Sequence, residues 1–162
     1  MSEIFKESQV GGSPSGKWAT FYLHGEMFAL RVEDVQEVMM DQPLTPVPLA
    51  PDHVVGLLNL RGQIMPALDL RVRLLFPRRG EGEGSSLIVI RIQGTSLSLV
   101  VDEIGDVLEL PARSWRDPPD TLAAQHRGFV RAICPIDRHV VLALNVEALV
   151  GDDNRPTHSR AS

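Results

Sequence analysis

Apolar residues recur along most of this chain in short alternating or clustered runs, each closed by glycine, proline or charge. That spacing predicts strands far more than helices. Phe21–Leu30 reads as two strands joined by a turn at His24-Gly25. Val32–Val38 places Val35 and Val38 three apart among Glu33, Asp34 and Glu37, the spacing of a short amphipathic helix. Asp41–Pro51 holds four prolines and must be extended and irregular. The nearly uncharged stretch Val54–Arg71 then reads as a β-hairpin with Arg61-Gly62 at its turn. Pro66 cannot donate to a ladder, so the second strand is expected at a sheet edge or with a bulge. Asp69 is placed to N-cap a short helix over Leu70–Phe76, stopped by Pro77.

The pattern then repeats. Phe21–Val38 aligns without a gap on Ile90–Val107, with Gly25 on Gly94, Phe28 on Leu97, Leu30 on Leu99, and Glu33-Asp34-Val35 on Asp102-Glu103-Ile104. Pro111–Pro119 resembles the first proline-rich passage, Gly56 corresponds to Gly128, and Ala67–Leu70 corresponds to Ala143–Val146, where Asn145 can cap the last helix. On this alignment the second hairpin is shorter, and Arg131–Cys134 stands where the first copy has Asn59–Gly62. The self-similarity predicts a mainly β molecule of two related units, each of about five strands with short helices, packed together with a groove between them. Residues 1–16 read as a flexible leader, 17–150 as the domain, and 151–162 as a flexible tail. Within the domain the repeats span about 18–76 and 87–150, joined by a polar, glycine-rich linker at 77–86.

A formal net charge of −5 argues against nucleic acid or an anionic membrane as the main partner. Cys134 is the single cysteine, so no intramolecular disulfide exists, which fits a reducing compartment. The N-terminus has neither the basic nor the apolar region of a signal peptide, and every apolar run ends well short of the ~20 residues of a membrane span. The expectation is a cytoplasmic protein without membrane insertion.

Candidate chemistry is sparse. No phosphate-binding glycine loop, HExxH or CxxC occurs, and the five histidines show no ligand spacing, so neither metal nor cofactor is expected and the chain does not read as an enzyme. Cys134 and His139 form a conceivable nucleophile–base pair, against the simpler reading of a buried thiol. The acid pairs Glu33-Asp34 and Asp102-Glu103 read as solvated residues at helix starts. Arg61 is either a solvated turn residue or a fork-shaped donor on a stiff hairpin, suited to a carboxylate or carbonyl. Val35 and Val38 read as core-facing and Glu37 as wet, with a polar rim beside an apolar groove as the alternative.

Val35-Gln-Glu-Val38, Asn59-Leu-Arg-Gly62, Ile64-Met-Pro66, Asp69-Leu-Arg71 and Val101–Val107, in this order and spacing, resemble the CheW family of chemotaxis coupling proteins. The resemblance runs from about Trp18 to Val150. It implies two SH3-like five-stranded β-barrel lobes around a shared core, and a non-enzymatic adaptor binding chemoreceptor cytoplasmic tips and the regulatory domain of a CheA-type histidine kinase. Such adaptors are recruited to membrane-bound receptor arrays, where self-association is a further possibility. By position, Arg61, with Asn59 and Gly62, matches the family's partner-binding signature. Val35, Glu37, Val38 and Gly56 lie with it, Ile104 and Val107 belong to the second lobe's segment, and Asp69 and Arg71 match a structural motif of capping and pairing. Ala67, Arg131 and Cys134-Pro135 depart from the family pattern. A scaffold of a non-motility pathway is an alternative within this class. A small-molecule sensor or enzyme using the interlobe groove is the alternative outside it.

Overall fold

The computed structural model describes residues 14–150. Most of the expected leader and all of the expected tail therefore lie outside the described residues. The ten strands within them are β1 (Lys17–Leu23), β2 (Glu26–Arg31), β3 (Val35–Met40), β4 (Val54–Leu60), β5 (Gln63–Asp69), β6 (Ser86–Ile92), β7 (Thr95–Val101), β8 (Glu103–Glu109), β9 (Val130–Ile136) and β10 (His139–Leu144). Short helices α1 (Leu70–Arg73) and α2 (Ala124–Arg127) follow β5 and precede β9. The fold is mainly β, in two five-stranded sheets of identical design.

One sheet has the order β8-β1-β2-β10-β9 and the other β3-β6-β7-β5-β4. Each combines a hairpin from one half of the chain with three strands from the other. The lobes therefore do not coincide with consecutive stretches of sequence, because β1–β2 and β6–β7 have changed places. Turns at His24-Gly25, Arg61-Gly62 and Gln93-Gly94 all have positive φ at both positions. That is the tight two-residue geometry whose twist matches the flanking strands.

Each strand turns one face to its own lobe and the other to a common core. Phe21, Leu23, Phe28 and Leu30 of the first sheet meet Ile88, Ile90, Leu97 and Leu99 of the second in that shared cluster. Smaller clusters fill the lobes, one around Trp18, Trp115, Cys134 and Val141, the other around Leu58, Met65, Leu87 and Val89. The proline-rich passages strap the outer strands at equivalent places, Thr45 pairing with Leu57 and Arg116 with Ile133.

Several expectations change here. Val32–Val38 is not a helix. A single 3₁₀ turn, Val32–Asp34, leads directly into strand β3. The pairing of β3 with β6 slips by one residue between Val35 and Glu37, so Val35 faces Ile90 and Val38 faces Ile88. A bulge at Gln36 thus brings two residues three apart onto one face, which imitates helical spacing. Strand β8 carries the same bulge against β1. There Gly105 leaves room that a Cβ would fill, since an added Cβ would collide with Thr20 Oγ1.

Strand β5 is interior rather than at an edge. Leu57 exchanges both its backbone hydrogen bonds with Thr45, so the missing N–H of its partner Pro66 faces β7 rather than β4. Pairing with β7 begins one residue later, at Ala67. In the other sheet, where Leu142 occupies the equivalent place, pairing with β2 starts two residues earlier, at Val141. Helix α1 is capped as expected, with Asp69 accepting from the Arg71 amide at 3.0 Å, but it ends at Arg73. Asn145 Oδ1 likewise accepts from the Ala148 amide at 3.4 Å. The second hairpin is not shorter: Ala132 takes the place of Gly56, and Asp137-Arg138 takes that of Arg61-Gly62.

Candidate functional site

The β4–β5 turn holds Arg61 at φ 53°, and the Asn59 carboxamide accepts from the Gly62 amide at 3.0 Å, closing the loop on itself. Held this way, Arg61 reaches across to β3. Its Nη1 and Nη2 donate to Glu37 Oε1 and Oε2 at 2.7 and 3.0 Å, a two-pronged pair. Strands β3 and β4 are the two outermost strands of their sheet, so this pair ties together edges that share no ladder. The hydrogen-bonded guanidinium holds Glu37 below the usual carboxylate range. Arg61 is thus neither an idle turn residue nor an unoccupied fork, and Glu37 is not simply wet. Even so, the Arg61 side chain remains 71% exposed and Glu37 28%, leaving the guanidinium open on its outer side.

Next to Glu37 on β3, Val38 and Met40 are exposed, as is Ile64 across the hairpin from Asn59. Val35 instead packs against the shared core. Both valines lie on the same face of β3, but only Val35 is covered by the shared core, and Val38 further along the strand is exposed. Gly56 is buried, where an added Cβ would lie 2.9 Å from the Thr45 carbonyl. It supports the strap rather than the surface. Ile104 packs against the shared core and Val107 is exposed, but both lie on β8 in the other sheet. The structure therefore brings together Arg61, Glu37, Asn59 and Gly62, while Val38 follows Glu37 on the opposite face of β3. Met40 was missed in the sequence; its alternation with Val38 on a strand was the available signal.

Asp69 and Arg71 belong to a second cluster, at the junction of the sheets. Arg71 donates to Asp102 from Nε at 2.8 Å and Nη2 at 2.6 Å, while Arg79 bridges Asp102 at 2.8 Å and Asp69 at 3.1 Å. The His24 amide donates to Asp102 at 2.7 Å. Burial works to raise the Asp102 carboxyl, but Arg71, the His24 amide and Arg79 outweigh it and hold the group at about 2. Asp102 is therefore no solvated acid at a helix start. It joins the β1–β2 turn to α1, and Arg79 fastens the linker to both.

The Cys134 thiol is buried among Trp18, Trp115 and Val141, and that burial pushes its pKa up. The thiolate that nucleophilic chemistry needs is disfavoured, and His139 is exposed, two residues along β10 from the Val141 that pairs with Cys134. Among the described residues, no group of three or more His, Cys, Asp or Glu side chains is placed to hold a metal ion. No helix among them is long and apolar enough to cross a membrane.

Residues 17–154 match the family model described as CheW-like domain. The chain is 26% identical to the chemotaxis protein CheW of Rhizobium meliloti over 135 residues, covering 83% of this chain and 87% of that one. It is 25% identical to the chemotaxis protein CheW of Klebsiella aerogenes, covering 94% and 93%. Among solved structures, the scaffolding protein TtCheW from Thermoanaerobacter tengcongensis is similar with a TM-score of 0.72 at 31% identity, covering 80% of this chain and 88% of that one.

Proposed function

The chain belongs to the CheW-like domain family, a family of non-enzymatic chemotaxis scaffolds, and on that premise we propose that it couples chemoreceptor cytoplasmic tips to the regulatory domain of a CheA-type histidine kinase. It acts in the cytoplasm, recruited to membrane-bound receptor arrays. The observation that carries this reading is the edge strand β3, which exposes Val38 and Met40 on one face while the Arg61–Glu37 pair closes its other face. An edge strand with an apolar strip on one face and a fixed charge pair on the other suits a partner helix with apolar anchors and a carboxylate or carbonyl for the open side of the guanidinium. Asn59 and Gly62 set the turn that aims Arg61. Ile104 and Val107 are assigned to a second contact on the other lobe. Signalling follows if receptor conformations differ in their grip on these surfaces and so bias the kinase alongside.

Co-sedimentation of the folded protein with receptor cytoplasmic fragments and the kinase tests the reading, and association with neither would overturn it. Arg61→Glu is expected to weaken partner binding while leaving the melting temperature nearly unchanged, because the pair it breaks is solvent-exposed. The swapped variant Arg61→Glu with Glu37→Arg restores the tie between strands. Binding that stays weak in the swap identifies the guanidinium as a direct contact; binding that recovers assigns it to supporting the surface.

A further inference from the structure

Phe76, just past α1, closes the shared core at the β1–β2 turn. Its ring lies 5.8 Å from that of His24 and edge-on to that of Phe28 at 6.3 Å. In this corner Leu23 and Leu74 are wholly buried. Strand register sets Leu23, Phe28 and Leu74 against Ile92, Leu97 and Val150 of the other half. Phe76 itself falls against Asp152, and a carboxylate does not fill an apolar seat.

That second seat is open. Val150 is 37% exposed, and Ile92 is only partly buried. With Leu97 they line a cleft of about 240 Å³, which Gln93, Thr95 and Glu147 complete. The volume lies below the roughly 300–1,000 Å³ of small-molecule sites. Phe76 in the matching corner shows what fits: one large apolar side chain.

The chain's own ends identify the occupant. The tail, 151–162, has no aromatic ring beyond His158 and no Val, Leu, Ile or Met. Phe5, next to Ile4, is the one Phe, Tyr or Trp outside the described residues. The leader also enters the fold by the route of the linker, its counterpart. The linker starts from Phe76, meets Asp102 through Arg79 and enters β6 at Ser86. The leader meets Glu33, the counterpart of Asp102, where the Ser15 amide donates to the carboxylate at 3.1 Å, and enters β1 at Lys17. Phe76 stands ten residues before β6 and Phe5 twelve before β1, so the leader has length to spare. The Arg31 guanidinium feels the charges of both Glu33 and Glu147, which puts the leader's entry beside the cleft.

We propose that Phe5 seats in the cleft between the β6–β7 turn and the last helical turn, 146–150, so that the leader covers this corner of the core as Phe76 covers the other. Seated there, it withholds Ile92, Leu97 and Val150 from other chains. The inference makes no use of the adaptor reading.

Nuclear magnetic resonance of the full chain tests it. A nitroxide on Ser8→Cys, with Cys134 left unlabelled because it is 1% exposed, is expected to broaden the methyl signals of Ile92, Leu97 and Val150. Adding Phe5→Ala to that chain should abolish the broadening, and Phe5→Ala alone should lower the melting temperature by about 3 °C. Broadening that is absent, falls on another surface or survives Phe5→Ala overturns the proposal. So does broadening seen only between labelled and unlabelled molecules in a mixture, which gives the cleft to the leader of a second copy. An unchanged melting temperature in Phe5→Ala, with the three methyl signals unshifted, overturns it as well and leaves the cleft to a side chain from a partner protein.

Discussion

The two lobes share strand order and even the bulge in their outer strand, yet they treat charge in opposite ways. In the lobe built on β3 and β4, Glu37 and Arg61 close the outer strands with a two-pronged pair. At the matching positions of the other lobe stand Asp106 and Asp137, both exposed and of like sign. The junction differs too: Arg71 meets Asp102 on one side, while their counterparts on the other are Glu147 and Glu33, and the cation there is Arg31, hydrogen-bonded to Asp34. A backbone that accepts either arrangement does not need the charges in order to fold as it does. The asymmetry therefore marks where one lobe has specialised, and it can be broken or sharpened by substitution.

The largest effect is expected at the junction. Asp102→Ala leaves Arg71 and Arg79 without their common acceptor and should cost about 3 kcal/mol, the lower end for breaking a buried ion pair, since solvent reaches the rim of the cluster. Glu33→Ala at the counterpart should change stability by no more than about 0.5 kcal/mol. Equal losses in denaturant unfolding would erase the contrast. The same cluster sets an acid dependence. Because the folded Asp102 carboxyl is held below its ordinary value of 3.8, at about 2, the unfolded chain takes up its proton first as pH falls. The contribution of Asp102 is complete above the ordinary value and is lost progressively on the way down to about 2. Asp102→Asn should flatten unfolding curves through that window.

A smaller difference is expected beneath the straps. Gly56→Ala forces a Cβ to within 2.9 Å of the Thr45 carbonyl and should cost about 2 kcal/mol by overpacking. At the counterpart the methyl already fits, and Ala132→Gly should cost about 1 kcal/mol. Thermal melts of the two variants decide whether one strap is seated more tightly than the other. The smallest effect tests the charge asymmetry directly: Asp106→Glu with Asp137→Arg rebuilds the fork on the second lobe. Amide exchange near the ends of β8 and β9 should slow with little change in melting temperature. No slowing would mean that those edges stand too far apart to be bridged.

Locally determined features were legible in the sequence. The His24-Gly25 and Arg61-Gly62 turns, the Asp69 cap and the strap prolines all act within a few residues, and their chemistry is visible in the residue types. The acidic segment before Val38 misled because a bulge at Gln36 gives a strand the three-residue spacing of a helix. The matching of Gly56 to Gly128 fails for a related reason: strand register, not residue identity, sets the correspondence, and it puts Ala132 there. Pairing between distant segments left no local mark. Neither the exchange of hairpins between sheets nor the meeting of Arg61 with Glu37 could be read from spacing. The role of Asp102 was hidden because its partners, Arg71 and Arg79, lie far from it in sequence and reach it only through the folded junction.

The exchange of hairpins also sets the order in which this chain can acquire structure. β1 spans Lys17–Leu23, and its outer neighbour β8 spans Glu103–Glu109. On the ribosome the first hairpin must therefore wait, both edges uncovered, since the other neighbour, β10, is made later still. Contacts of such long sequence separation fold slowly and leave strand edges open to other chains meanwhile. A nascent chain halted after β5 holds a hairpin without its sheet and three strands without theirs. Each is shaped to accept the missing piece from any neighbouring copy that has it.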